Sequence, residues 1–231
     1  MNQKEWNQKL QLALGLTPDG VFGPITQEKS SMVEVDLVVK PLPQIKPLTG
    51  DYFGAPWIGS YSHLLGRDEE DPALNAALVP EWAKEGLPGY KTLAGNEHAW
   101  CSVLVNASFR RLNIIGTNSA AAASWRTWGE SCPYWFGSVL GIRHATGRGH
   151  VCYFLYWIDE SKRVAACYGG NQNNKLSVAA YDISGNARGH DEPVNGPRWP
   201  KNYADGVSLT KAEVLAKYPN LKVGGVGGST T

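Results

Sequence analysis

The spacing of hydrophobic residues changes along the chain, from a helical period to short strand-like runs. Apolar residues three and four positions apart predict helices, and four such segments come first: Pro56–Leu65, Pro72–Lys84, Ser102–Leu112 and Ser119–Trp128. Short runs rich in β-branched and aromatic residues predict strands, and four follow: 135–142, His150–Ile158, Arg163–Tyr168 and Lys175–Tyr181. Helices followed by antiparallel strands indicate an α+β domain.

One more helix is predicted near the C-terminus, over Leu209–Lys217. Thr210 and Glu213 have the spacing of a capping box, in which each residue bonds the backbone N–H of the other. The last residues, Gly224–Thr231, are rich in Gly, Ser and Thr and are predicted to pack loosely.

A proline-rich segment divides the chain into two unequal parts. Pro41, Pro43 and Pro47 lie close together, and proline restricts both its own φ and the conformation of the preceding residue. We therefore predict a semi-rigid linker over 39–50, a small helical module over 1–38 and a larger domain over 51–231.

Composition and charge narrow the class of protein. Hydrophobic residues make up 42% of the 231 residues and charged residues 19%, which is enough apolar material for a core. The net charge of +1 argues against a nucleic-acid-binding protein. No apolar run is long enough for a membrane span. Nine Trp and ten Tyr fit glycan binding and core packing equally well.

Charge is unevenly distributed along the chain. Residues 51–98 carry three basic and eight acidic side chains, whereas residues 99–231 carry fourteen basic and eight acidic ones. The basic part is compatible with an anionic polymer as ligand, and also with ordinary solvated surface charge.

The four cysteines do not have the spacing of a structural metal site. Cys101, Cys132, Cys152 and Cys167 form no C-x-x-C motif, so we predict neither a metal nor another cofactor. A bridge between Cys152 and Cys167 on adjacent strands stays open, although a disulfide framework is not expected.

Three polar residues in order along the chain suggest nucleophilic catalysis. Cys101 begins a predicted helix, where the helix dipole and free N–H groups lower a thiol pKa and can hold an oxyanion. His150 opens a strand after a Gly-rich turn, as suits a base, and Asn171 ends the next strand, where an amide can orient an imidazole. The alternatives are a small buried cysteine and two turn residues.

The same residues lie in motifs that resemble the papain-like CHAP family, the cysteine- and histidine-dependent amidohydrolases and peptidases, in a phage-associated branch. The motifs are Pro56-Trp57, Ala99-Trp100-Cys101, Gly116-Thr117-Asn118-Ser119-Ala120 with Ser124-Trp125, Gly149-His150-Val151, Gly169-Gly170-Asn171-Gln172 and Arg198-Trp199-Pro200. The resemblance implies a fold with N-terminal helices on an antiparallel sheet, and Cys101, His150 and Asn171 as nucleophile, base and orienting group. Many members have a glutamate as the third residue, where this chain has two glycines before Asn171.

The N-terminal module resembles a second family, the peptidoglycan-binding domain type 1. Leu10-Gln11 and the run from Asp19 to Thr26 match its Leu-Gln helix and its Asp-Gly-x-Phe-Gly-x-x-Thr pattern. The resemblance implies wall binding through Asp19, Phe22 and Thr26. The alternative is a cap that packs on the larger domain.

Together these resemblances predict an endolysin that cleaves an amide bond of peptidoglycan, as an N-acetylmuramoyl-L-alanine amidase or an endopeptidase. Trp100, Trp125 and Gln172 are predicted to contact the substrate. We expect a monomer that binds no nucleic acid, does not insert stably into a membrane, is made in the host cytoplasm without a signal peptide and acts on the wall after release. The alternatives are a secreted antibacterial amidase effector and a non-catalytic wall-binding or virion structural protein.

Overall fold

The computed structural model describes Gln8 and residues 52–87, 89–95, 99–144, 148–185 and 192–224. The chain divides into two units, Met1–Gln44 and Ile45–Thr231, and the fold below is that of the second. Apart from Gln8, the predicted module over 1–38, with Asp19, Phe22 and Thr26, lies outside the described residues, as do the linker over 39–50 and most of Gly224–Thr231.

The described residues confirm the α+β prediction. Their three longest helices are α1, α2 and α3, at Pro72–Lys84, Cys101–Arg110 and Lys211–Lys217. The strands are β1 (Glu130–Ser131), β2 (Val139–Arg143), β3 (Gly149–Asp159), β4 (Val164–Gln172), β5 (Lys175–Asp182), β6 (Glu192–Pro193) and β7 (Arg198–Trp199).

The strands form one antiparallel sheet in the order β1-β7-β2-β3-β4-β5, and β6 also pairs with β2. Helix α2 packs against β3 and β4, and α1 packs against α2. Helices therefore cover the middle of the sheet on one side.

The two faces of the sheet have separate cores. Side chains alternate along a strand, so Val151 and Tyr153 belong to the large cluster that contains α2, which we name the α2 face. Cys152 and Phe154 belong to a smaller cluster on the other side, with Leu140, Cys167 and Tyr181, which we name the far face.

Helix α1 forms where the sequence predicts it because its start is strongly encoded. The Asp71 carboxylate accepts hydrogen bonds from the N–H groups of Ala73 (2.9 Å) and Leu74 (3.1 Å), and Pro72 occupies the first turn. Proline fits there because the missing N–H has no helical partner. The predicted capping box of α3 is also confirmed, with Thr210 and Glu213 bonding each other's N–H.

Two predicted helices are wrong. Over Pro56–Leu65 the chain forms two short 3-10 turns, Pro56–Ser60 and Ser62–Leu64, with Tyr61 at φ −130° between them. Over Ser119–Trp128 only Ala122–Arg126 forms a 3-10 turn. In the second segment, tertiary hydrogen bonds oppose a longer helix, because Asn106 and Ser102 of α2 bond the backbone of residues 117–119.

Candidate active site

Cys101 lies at the first residue of α2, against strand β3. Trp100, the residue before it, provides no side-chain cap. The backbone N–H groups of Cys101, Ser102 and Val151 lie near the Cys101 sulfur and act to lower the pKa of its thiol. A sulfur near several N–H groups at a helix N-terminus is in a favourable place for negative charge.

Burial nevertheless keeps the Cys101 thiol protonated. Only 1% of the residue is exposed, and desolvation raises the pKa of the thiol, although the three N–H groups oppose this shift. In this closed arrangement Cys101 is a neutral thiol at neutral pH.

His150 lies on the far face, one residue before the N–H that contacts the Cys101 sulfur. Its ring stacks on that of Tyr181, with centroids 5.5 Å apart and an interplanar angle of 13°. Burial and the neighbouring His144 lower the pKa of His150 to about 4, while the side chain of Gln172 opposes the shift. His150 is therefore neutral at neutral pH, which a general base requires.

The Cys101 sulfur lies near the backbone of Val151, the residue after His150. No hydrogen bond joins the Cys101 and His150 side chains. The Nε2 atom of His150 is buried and has no hydrogen-bond partner among the described residues. Val151 faces α2, so strand alternation directs the adjacent His150 side chain away from it. What lies between the two side chains is the backbone of β3, whose Val151 N–H is near the Cys101 sulfur.

The polar side chain beside His150 is that of Gln172. Its Nε2 donates to the backbone oxygen of Ser177 (2.7 Å) and to the Ser177 hydroxyl (3.1 Å). Its Oε1 is buried without a hydrogen-bond partner among the described residues, and the side chain lies near enough to the imidazole to oppose, in part, the lowering of the pKa of His150. Gln172, for which we predicted substrate contact, is thus placed where an orienting group would lie.

Asn171 occupies an irregular position in β4. Its φ of 58° is left-handed, and the pairing of β4 with β5 shifts register between Gly169 and Gln172. Asn171 is half-buried, and its side chain forms no hydrogen bond with the described residues, so its predicted orienting role has no contact to support it here.

Trp100 and Trp125, both predicted to contact substrate, are buried in the core, with exposures of 1% and 0%. The Trp125 indole N–H donates to the Ser102 hydroxyl at 2.8 Å. Trp100 packs on β4 at Gly170, where an added Cβ would lie 2.6 Å from the Cε3 atom of Trp100. Both rings therefore position the start of α2 in this structure.

Sequence reasoning missed a buried polar cluster behind Cys101. The Oδ1 atom of Asn106 accepts from the N–H groups of Thr117 (2.8 Å) and Asn118 (3.1 Å), and its Nδ2 donates to Glu85 (2.9 Å). Arg110 donates to the other oxygen of Glu85 at 2.5 Å. An asparagine on the apolar face of the predicted helix was the available signal, because a buried amide needs partners.

This cluster explains part of the Gly-Thr-Asn-Ser-Ala motif. Ser102 donates to the backbone oxygen of Ser119 at 2.6 Å, and Asn106 donates to the same oxygen at 3.1 Å. Gly116 is required because a Cβ there would collide with the Asn106 amide. The motif therefore forms a loop whose backbone is hydrogen-bonded to Ser102 and Asn106 of α2, near Cys101.

The remaining three cysteines form no disulfide bond. Cys152 and Cys167 are buried on the far face, and Cys132 is half-buried in a loop, where burial raises its pKa to about 12. Among the described residues no group of three or more His, Cys, Asp or Glu side chains is arranged to hold a metal ion. The described helices also include none with the length and apolar character needed to cross a membrane.

Comparison of this chain with protein-family models, with curated proteins and with solved structures found no match. Its function must be argued from its own residues.

Proposed function

We propose that this chain is a cysteine hydrolase that cleaves an amide bond of bacterial peptidoglycan, with Cys101 as nucleophile and His150 as base. The observation that carries the proposal is the position of Cys101 at the first residue of α2, with its sulfur near backbone N–H groups of α2 and β3. These donors are of the kind that stabilises the oxyanion of an acyl-transfer reaction. Peptidoglycan as the substrate rests on the motif resemblance.

In the proposed reaction the proton moves as the bond forms. The Cys101 thiol gives its proton to the imidazole of His150 while the sulfur attacks the amide carbonyl. The imidazolium then protonates the leaving amine, which leaves a thioester. The imidazole next takes a proton from water as the water attacks the thioester, which releases the acid and the Cys101 thiolate. The imidazolium returns its proton to the sulfur and restores the thiol.

This reaction requires a rearrangement that brings the two side chains together, because Cys101 lies on the α2 face of the sheet and His150 stacks on Tyr181 on the far face. Both groups are also only 1% exposed, and no hydrogen bond joins them. The neutral thiol and neutral imidazole fit a mechanism in which the base acts during attack rather than a preformed ion pair. We assign Gln172 the role of orienting the imidazole in the rearranged site, because its side chain neighbours His150 and its Oε1 has no hydrogen-bond partner among the described residues.

The test is solubilisation of purified peptidoglycan by the full chain. We expect the wild type and the Cys132→Ala variant, which loses a thiol in a loop, to release soluble fragments. The Cys101→Ala variant should lose at least about a thousandfold in rate, since removing a nucleophile removes the covalent route. Thermal unfolding of each variant checks that the fold is intact.

Mass spectrometry of the fragments identifies the bond. A free stem peptide beginning at L-alanine indicates an amidase, and a cut within the peptide indicates an endopeptidase. Equal rates for wild type and Cys101→Ala would overturn the role of Cys101.

A second candidate is a non-catalytic wall-binding or virion structural protein. It is favoured by the burial of Cys101 and His150 and by the missing hydrogen bond between them. An intact wild type that binds several types of wall but releases nothing would select this candidate.

A further inference from the structure

A concave pocket of about 580 Å³ lies on the far face of the sheet, at the opposite end of β3 from His150. Aromatic side chains and two cations line it. Its lining includes Tyr134, Trp157, Glu160, Arg163 and Lys211. A pocket of this size with apolar walls and a few polar groups is typical of a small-ligand site.

Arg163 packs against two aromatic rings in this pocket, Tyr134 and Trp157, which also contact each other. Its guanidinium carbon lies 4.8 Å from the ring centroid of Tyr134 and 4.9 Å from that of Trp157. Its Nη2 donates to the Tyr134 hydroxyl at 2.6 Å. Stacking of this kind fixes the planar guanidinium, so little side-chain freedom remains to be lost when a ligand binds.

No ion pair with another described residue neutralises the charge of Arg163. Within the described part of the chain neither Arg163 nor Lys211 forms an ion pair, and Glu160 is an exposed side chain without one. Two cations and one carboxylate leave the pocket with a positive excess. Arg163 is half-buried, so a ligand can reach its remaining N–H donors.

The backbone at Arg163 is also unusual. Its φ is 58°, in the left-handed region that favours Gly or Asn. The residue ends the turn between β3 and β4, where its N–H donates to the backbone oxygen of Glu160 at 3.0 Å. This conformation is less favourable for arginine than for Gly or Asn, and residues with strained backbone are often found at ligand sites.

From these observations we propose that the pocket binds a carboxylate on an amphipathic ligand, with Arg163 contacting the carboxylate and Trp157 contacting the ligand body. Resting on the proposed function, we assign this carboxylate to a peptidoglycan stem peptide. Trp157 lies seven residues from His150 along β3, about 23 Å at the rise of a strand. The pocket would therefore hold a part of the polymer remote from the cleaved bond and raise its local concentration.

The experiment measures binding of N-acetylmuramyl-L-alanyl-D-isoglutamine to the full chain by isothermal titration calorimetry. The Cys101→Ala variant is the background, so that no substrate is consumed. The methyl ester of the same molecule is the matched ligand without the charge. We expect the ester to bind at least about tenfold more weakly, as for loss of a hydrogen bond to a charged group.

Two substitutions locate the effect. The Arg163→Asn substitution removes the cation and introduces a residue that tolerates the left-handed backbone. It should reduce the difference in affinity between acid and ester to less than about twofold. Lys211→Gln, at an exposed position, should weaken binding of the acid without a folding defect. Lys162→Asn is the control, because that exposed lysine already pairs with Asp159 at 3.2 Å, and binding should not change.

Equal binding of acid and ester, or equal binding by the Arg163→Asn and Lys162→Asn variants, would overturn the proposal. The readout is independent of hydrolysis. A chain that hydrolyses peptidoglycan but shows no dependence on Arg163 contradicts only the pocket, whereas carboxylate binding without hydrolysis contradicts only the enzyme.

Discussion

Burial determines the ionisation of both groups proposed for catalysis. It raises the pKa of the Cys101 thiol and lowers the pKa of His150 to about 4. The two shifts have one physical cause, because each charged form would lose its hydration inside the domain. Any event that admits water or substrate should move both pKa values back toward their ordinary ranges, and thiolate formation should then become easier.

The lowered pKa of His150 predicts a loss of stability in acid. The unfolded state, with an ordinary pKa near 6.5, binds the proton more readily than the folded state, with a pKa of about 4. The contribution of neutral His150 is therefore complete above about pH 6.5 and is lost as the pH falls toward 4. A difference of this size corresponds to about 3 kcal/mol in the free energy of unfolding.

Urea unfolding at pH 7.5 and pH 4.5 measures this effect, with the His150→Gln variant as reference. Other groups titrate in the same range, so the test compares the pH-dependent loss in the wild type with that in the variant. We expect the wild type to lose about 2 kcal/mol more between the two pH values. Identical losses would show that His150 is solvated in the folded protein.

The sequence locates Cys101 and His150 through their positions at the start of a predicted helix and strand. It names Gln172 as a substrate contact but does not predict that this side chain lies beside His150, because the strand period is interrupted. A left-handed Asn171 and a register shift between Gly169 and Gln172 change which residue faces the imidazole. A one-residue irregularity reverses the faces of a strand, and nothing in the local pattern fixes it in advance.

Among the elements, α2 and β4 are joined by an unusually close contact that explains a glycine pair. The Trp100 ring lies directly on Gly170, where an added Cβ would meet both Trp100 and Leu104. Gly169, its neighbour, faces Cys152 and Gln172 instead. The two glycines therefore allow close contact on both faces of β4, with Trp100 and Leu104 on the α2 face and with Cys152 and Gln172 on the far face.

Replacing Gly170 should displace the start of α2. In the Gly170→Ala variant the Trp100 ring must move away from β4, and overpacking of this kind costs about 1–3 kcal/mol. We expect a lower midpoint of urea unfolding and reduced peptidoglycan hydrolysis, since Cys101 follows Trp100. Gly224→Ala is the control, because no atom lies within 4 Å of its added Cβ. Equal midpoints for the two variants would contradict the contact.

Element prediction succeeded where local signals were strong and failed where tertiary bonds dominate. Helix α1 has a cap at Asp71 and a proline in its first turn, and its bounds follow from the sequence alone. The alanine-rich segment after Ser119 has helical propensity, yet Asn106 and Ser102 hold the backbone before it. Propensity is weak beside such bonds.

In the molecule as a whole, the sheet provides a rigid support for both proposed sites. Strand β3 pairs with β2 and β4, and its residues from His150 to Tyr156 are buried. His150 lies at one end of β3 and the Arg163 pocket at the other. Both sites are thus built on the best-covered part of the fold, whereas β1 pairs over only two residues at one edge.

Hydrogen exchange should show that the central strands are more strongly protected than the edge strand β1. Amides in the middle of β3 and β4, from Val151 to Leu155 and from Ala165 to Tyr168, are expected to exchange only through global unfolding, because both strands have neighbours on each side and buried faces. Glu130 and Ser131, which are exposed, should exchange by local opening at least about a hundredfold faster. Mass spectrometry of exchanged peptides at pH 7 gives the order. If β3 exchanged as fast as β1, the sheet would not be the rigid support that both proposed sites require.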